Sequence, residues 1–319
     1  MLSDILYSAS VIAPIFIMVL LGFILKQLRF LDDPFFNGCD KIGFKLCLPC
    51  LLFVDIAYVD ISKSLDLKLI AFCCIAVTLL FIGATLLVCC FLKDNAKRGA
   101  FIQGMCRSNA AILGVTVARN MFGDVGEATI AMALPFIVVL YNVYSVIILS
   151  VFAPKNKQLD GKSMFKQILK NIYTNPLIIS ITLALLWNVS SLTMPKFADQ
   201  SINYLAEMSV PLALISLGAN FDLQALNGRI GLAAISSVCK TVIVPVIALL
   251  FAYLFGIRDV GLGIVLIIFG GPTAVSSYIM AKQMGSDHKM AGQIIIISTL
   301  LCIFTLFLGV FLLKTMQLI

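Results

Sequence analysis

Ten mostly apolar stretches follow one another along the chain, at approximately 5–27, 35–58, 66–92, 98–120, 125–153, 166–189, 197–219, 229–255, 259–284 and 289–314. Each is long enough for a helix to cross a bilayer core, which takes about 20 apolar residues. Composition closes off the soluble alternative. Apolar residues make up 61% of the chain and charged residues 12%, whereas a globular domain carries about 25% charged residues. No soluble fold of this length hides so much apolar surface. The expectation is an all-α membrane protein forming a single integral membrane unit over 1–319, with no soluble domain. Met1-Leu2-Ser3-Asp4 lacks the basic start of a secretory signal, so none is expected.

The longest polar connection, Pro154 to Lys162, divides the stretches into two sets of five. The expected organisation is a first repeat over about 1–153, a short cytoplasmic linker at 154–163 and a second repeat over about 164–319. Landmarks recur at a near-constant offset. Pro14 and Pro176, Pro49 and Pro211, and Asp60 and Asp222 are each 162 positions apart, and Ala118-Arg119-Asn120-Met121 precedes Ala281-Lys282-Gln283-Met284 by 163. Five spans is an odd number, so a second copy enters the membrane from the opposite side. This is the inverted-topology repeat of many secondary transporters. Placing both termini outside leaves fifteen Lys and Arg residues on inner loops and helix ends, against six on the outer side. That asymmetry fits the positive-inside rule.

The ten cysteines do not read as a disulfide framework, because Cys73-Cys74, Cys89-Cys90, Cys106, Cys239 and Cys302 all sit within apolar runs, where cysteine packs as a small hydrophobe. Cys47-Leu48-Pro49-Cys50 matches a redox or metal spacing but has no second ligand pair. With His288 the single histidine, zinc and Ser/His chemistry have little to build on, and no metal site is expected. The nucleotide-binding G-x-x-x-x-G-K-[ST] pattern is also missing.

Gly/Pro-interrupted spans at matched repeat positions point to a carrier's binding site. In the ninth stretch, Phe269-Gly270-Gly271-Pro272-Thr273 offers a glycine stop and a proline restart. In the fourth, Arg107-Ser108-Asn109-Ala110-Ala111-Ile112 holds the corresponding place, Asn109 lying 163 positions before Pro272. Restarted half-helices aim amides and a positive dipole end at the cavity between them, which favours an anion. The candidate substrate-binding residues are therefore Arg107, Ser108, Asn109, Ala110, Gly271, Pro272 and Thr273, with Asn142 from the fifth stretch. Arg107 reads either as a fork for a substrate carboxylate or as a cap for freed carbonyls. Tyr141 and Asn142 read as ligand contacts or as glue between helices. Three more intramembrane charges are coupling or structural candidates: Glu207 and Lys240, expected to pair with each other, with Glu207 as a coupling-proton carrier the alternative, and Asp55, which reads as a second proton carrier or as a residue reaching the outer interface.

These stretches resemble the auxin efflux carrier family, particularly bacterial members described as malonate or malate permeases. The resemblance rests on Leu46 to Phe53, Arg107 to Gly114, Asn175 to Ile179, Val210 to Ala219 and Pro272 to Tyr278. It implies ten helices in two inverted five-helix repeats, similar to bile-acid symporters and sodium/proton antiporters. It also implies a scaffold and a transport domain whose crossed helices four and nine hold the ligand. The sequence departs from plant members at Gly114-Val115, where they often carry a proline after the glycine, so auxin specificity does not follow.

The function expected is secondary active transport of a small organic anion, such as a carboxylate or dicarboxylate, by alternating access. No enzyme activity and no cofactor are expected, the driving force being open between a proton, a sodium ion and the substrate gradient alone. The partners expected are the organic anion, the lipid bilayer of a cell membrane and a second copy of the chain, but no nucleic acid. A sodium/proton antiporter of the same fold would need carboxylates at the crossover, and none lies between Lys97 and Asp124 or between Asp259 and Asp287. A sensor that kept the transporter's shape is the remaining alternative.

Overall fold

A computed structural model describes residues 17–58, 66–110, 114–153, 166, 170, 173–190, 193–219 and 226–319. Pro14, Asp60, Asp222, the 154–163 linker and the start of the first apolar stretch lie outside the described residues. Every named element is helical. In chain order they are α1 (Ile17–Gln27), α2 (Asp33–Ile42), α3 (Leu48–Ala57), α4 (Leu67–Phe91), α5 (Asn95–Cys106), α6 (Val115–Val151), α7 (Pro176–Ser190), α8 (Lys196–Glu207), α9 (Ser209–Ala219), α10 (Leu226–Val238), α11 (Val244–Leu254), α12 (Asp259–Gly270), α13 (Ser276–Gln283) and α14 (His288–Thr315).

Local chemistry sets where these helices begin. Asp32, Asp66, Asp94 and Asp287 cap α2, α4, α5 and α14, each carboxylate accepting a hydrogen bond from a first-turn amide. This satisfies an orphan donor and places negative charge at the positive end of the helix dipole. Pro49 and Pro245 stand in the first turns of α3 and α11, each directly after a π-helical turn, at Gly43–Cys47 and Cys239–Ile243. Proline lacks the N–H and crowds the preceding turn, and the wider turn relieves both effects without ending the helix.

Among the described residues, five segments are long and apolar enough to cross a membrane: α4, Val117–Val151 of α6, Lys196–Ala219 (α8 with α9), Ile230–Leu254 (α10 with α11) and α14. Their outer faces are as apolar as their inner ones. On α4, Leu69, Cys73, Val77, Phe81, Ala84 and Val88 are buried, while Ile75, Leu79, Ile82 and Leu86 are exposed at helical spacing. Helices hydrophobic all round belong in a lipid environment.

Two of the apolar stretches are interrupted by non-helical backbone. Between α5 and α6 the chain leaves helical geometry at Arg107, Ser108 and Asn109, and between α12 and α13 it does so at Gly271 to Ala274. At 1.5 Å per residue the twelve residues of α5 or α12 rise only about 18 Å, which is why neither qualifies as a span alone. A third irregularity is Gly123, at φ 62° and ψ −148°, which splits α6 into 115–122 and 124–151. A residue with a Cβ is disfavoured in that conformation, so glycine makes the corner between the expected fourth and fifth stretches.

The buried residues form two clusters. One draws on α4, α5, α10, α11 and α12, the other on α3, α7 and α9. Helices α6, α13 and α14 contribute to both. Near the end of α13, Lys282 reaches α2 and pairs with Asp40 at 2.5 Å, the carboxylate side chain being 0% exposed. Ile215 and Gly218 of α9 meet α1 at Gly22 and Val19 so closely that a Cβ on either glycine would collide with backbone.

Candidate functional site

The two breaks meet. Asn109 N–H donates to the Pro272 carbonyl at 2.8 Å, and Ser108 pairs with Thr273 as an isolated antiparallel β-bridge. The approach needs the glycine of the second break: a Cβ on Gly271 would stand 2.8 Å from Ser108 Oγ, closer than real contacts allow.

Helix ends left open in a membrane must find partners within the protein, and both of these do. At the end of α5, Arg107 N–H donates to Gln103 O at 3.0 Å, and Thr273 Oγ1 donates across the junction to Gly104 O at 2.6 Å. Thr273 N–H in turn donates to Ser298 Oγ of α14 at 3.1 Å. At the end of α12, Gly271 N–H donates to Ile267 O at 3.1 Å, and Lys240 Nζ donates to Phe269 O at 2.7 Å.

Beside the junction lies a cavity of about 60 Å³. By the same measure a water needs roughly 10–15 Å³, so there is room for a few waters or a solute of a few non-hydrogen atoms. Its polar lining comes from Asp55 of α3, Arg107, Ser108 and Asn109 of the first break, Tyr141 and Asn142 of α6, Ser209 of α9 and Ser276 of α13. Leu48, Leu51, Leu52, Val138, Val210 and Ala213 form much of the apolar wall.

Arg107, 5% exposed, is the fixed charge of this site. One terminal nitrogen donates to Asn142 Oδ1 at 2.9 Å and Ser276 Oγ at 2.7 Å, and the other touches Met280 Sδ. Asn142 is held in turn by its own amide, which donates to Val138 O at 2.8 Å. A guanidinium carries five N–H groups, so two remain without a protein partner among the described residues. No carboxylate pairs with Arg107 among the described residues. Around it, Ser108 Oγ, Tyr141 OH and Ser209 Oγ are buried without a hydrogen-bond partner among the described residues. Buried hydroxyls in that condition are uncommon and call for an explanation.

The structure thus brings Arg107, Ser108, Asn109, Asn142 and Asp55 to one cavity. Gly271, Pro272 and Thr273 lie behind it, holding the junction rather than lining it, and Ala110 is a buried neighbour. The expectation that Glu207 pairs with Lys240 is corrected. Lys240 is fully buried in the π-helical turn before α11, where the open carbonyl end of α12 supplies its partner. Glu207, the last residue of α8, is exposed at the bend at Met208 and lies outside the cavity. The Arg107 guanidinium bonds side chains and no backbone carbonyl among the described residues, so the carbonyl-capping alternative passes to Thr273 and Lys240. Sequence reasoning missed Ser209 and Ser276. Their signal was faint, a serine two residues before the mid-span Pro211 and another four residues after Pro272.

A profile of the family described as membrane transport protein matches residues 7–310. Relatives with that character span nearly the whole chain. An uncharacterized transporter of Methanocaldococcus jannaschii is 25% identical over 301 residues, covering 91% of this chain and 94% of its own. An uncharacterized transporter of Methanothermobacter thermautotrophicus is 23% identical over 300 residues, 94% and 96% of the two chains. A Rhizobium meliloti protein named "Putative malonate transporter" is 21% identical over 299 residues, 93% and 92% of the two. With its helical build, lipid-suited surface and discontinuous helices, this chain belongs to the membrane transport protein (auxin efflux carrier) family and is a multi-pass membrane transporter, not an enzyme.

Proposed function

We propose that the protein is a secondary carrier for a small organic anion of the carboxylate class, bound in the Arg107 cavity and moved by alternating access. One observation carries the reading: a guanidinium with two N–H groups uncommitted among the described residues faces the same cavity as three buried hydroxyls that have no partner among them. All of these can donate to carboxylate oxygens, and charge-assisted bonds of this kind are the strong ones. The Asn109 side chain, with no partner among the described residues, adds a further donor at the rim. The cavity's size suits a short acid, and the Rhizobium relative's name points to the same class.

The architecture belonging to this proposal is ten spans in two inverted repeats, in a cell membrane, with both termini outward. It is supported by the bond between residues 109 and 272, which hold corresponding places in the two halves, and by the inward bias of the basic residues.

The test is ligand-induced stabilisation of the purified protein, since a ligand of the folded state raises its melting point by mass action. Malonate, lactate and indole-3-acetate would be screened with wild type and Asn109→Ala. The expected result is a shift with malonate or lactate that the variant loses, with its unliganded melting point unchanged because only the Asn109 backbone holds the junction. Equal shifts in both proteins would remove the cavity from the proposal, and no shift with any acid would remove the anion.

A further inference from the structure

Asp55 is a carboxylate with no ion-pair or hydrogen-bond partner among the described residues, half-buried in a helix of the membrane protein and lining the cavity that holds Arg107. Charges at such depth are costly and mark pathways or relays. The groups around it narrow what it answers to. Arg107 and Tyr141 share its cavity. Of the elements packed on α3, α7 carries no titratable side chain, and the π-helical turn before α3 offers Lys45 and Cys47. On α8 are Lys196, Tyr204 and Glu207, and Asp199, which accepts a hydrogen bond from Tyr58 at 2.6 Å. Among the described residues, Arg107 is the only cation lining the cavity.

Charge counting then ties Asp55 to transport, on the reading that the cavity carries an organic anion. With Asp55 ionised and no substrate, the cavity is neutral, one guanidinium against one carboxylate. With a monovalent substrate carboxylate on Arg107, it is neutral only if Asp55 is protonated. A site that must pass through a low-dielectric barrier in both conditions favours the neutral form of each. We propose that Asp55 is the proton carrier: its carboxylate balances Arg107 in the empty cavity and accepts a proton when a substrate carboxylate takes its place. The O–H bond forms from water on the loading side and breaks to water on the release side, so one proton crosses with each monovalent anion and nothing is oxidised or reduced.

Proteoliposomes test this with labelled lactate, protein-free vesicles supplying the diffusion control. Under an inward gradient of about one pH unit, one-to-one coupling raises lactate accumulation about tenfold over the gradient-free value, because one unit is a tenfold ratio of proton activities. Asp55→Asn is expected to bring that ratio to about one, and Asp55→Glu to restore it, which a merely structural role would not do. A gradient response in Asp55→Asn equal to wild type overturns the proposal, as does wild-type lactate counterflow indifferent to the gradient. That second outcome leaves the anion carrier standing. Failure of wild type to bind lactate, malonate or indole-3-acetate, or to exchange any of them, overturns both readings. Should Asp55→Asn be too slow to follow, lactate added to weakly buffered, detergent-purified wild type with a pH indicator is expected to draw about one proton per bound anion. Binding without proton uptake overturns the coupling.

Discussion

The two breaks occupy matched places in the sequence and are joined by backbone, yet they meet the cavity differently. The first presents Arg107, Ser108 and Asn109 to it. The second turns Gly271, Pro272 and Thr273 into the junction, and only Ala274, Val275 and Ser276 beyond them reach the lining. Their helix ends are closed by different means as well, α5 by the hydroxyl of Thr273 and α12 by the ammonium of Lys240. Two breaks at corresponding places in the sequence therefore divide the labour, one displaying chemistry and the other securing geometry. Glycine and proline suit the second task because they permit close approach and fix the backbone without adding polar atoms.

Substitutions separate the two tasks, and the largest effect is expected on the displaying side. Arg107→Ala removes the fixed charge and should weaken binding of malonate or lactate about a hundredfold, in keeping with ~1.5–3 kcal/mol for hydrogen bonds to a charged group. Titration calorimetry would read this, and an affinity within a factor of a few of wild type would make Arg107 a packing residue. On the securing side, Lys240→Met leaves the Phe269 carbonyl without its donor. A loss of about 2 kcal/mol in detergent unfolding is expected, within the ~1–3 kcal/mol for an unsatisfied buried group, and the thermal shift induced by the anion should persist.

Thr273→Val, which keeps shape while removing the donor to Gly104 O, should cost about 1–2 kcal/mol by the same reasoning. Ser108→Ala is the mirror experiment across the β-bridge. Its hydroxyl bonds nothing among the described residues, so stability should hold while anion affinity drops by the ~0.5–1.5 kcal/mol of one hydrogen bond. Were the Thr273 variant to lose affinity and the Ser108 variant stability, the assignment of the two breaks would be reversed.

Much of this was legible in the sequence because bilayer physics leaves few options. Apolar length announces helices, and the offset between Asn109 and Pro272 picked out two residues that the fold brings into direct contact. Asn142 was readable as a polar side chain in an apolar run. What escaped depended on direction rather than identity. Residue type alone does not say which way a lysine in an apolar run points, and Lys240 turned to a carbonyl 29 residues away instead of to Glu207. Nor did the sequence announce the π-helical turns, whose extra residue shifts the face that the following helix presents. The pair between Asp40 and Lys282 joins residues 242 positions apart, across α2 and α13, and no local pattern encodes a contact of that range.

The backbone bond between Asn109 and Pro272 and the β-bridge beside it make one knot of two strands from distant parts of the chain. A knot cannot be pulled at one strand alone. Any displacement of Arg107, Ser108 and Asn109 drags Gly271, Pro272 and Thr273 with it, together with the ends of α5 and α12 that they close. The polar face of the cavity is therefore one piece, and a motion that shifted one strand without the other would first have to break the bond between Asn109 and Pro272.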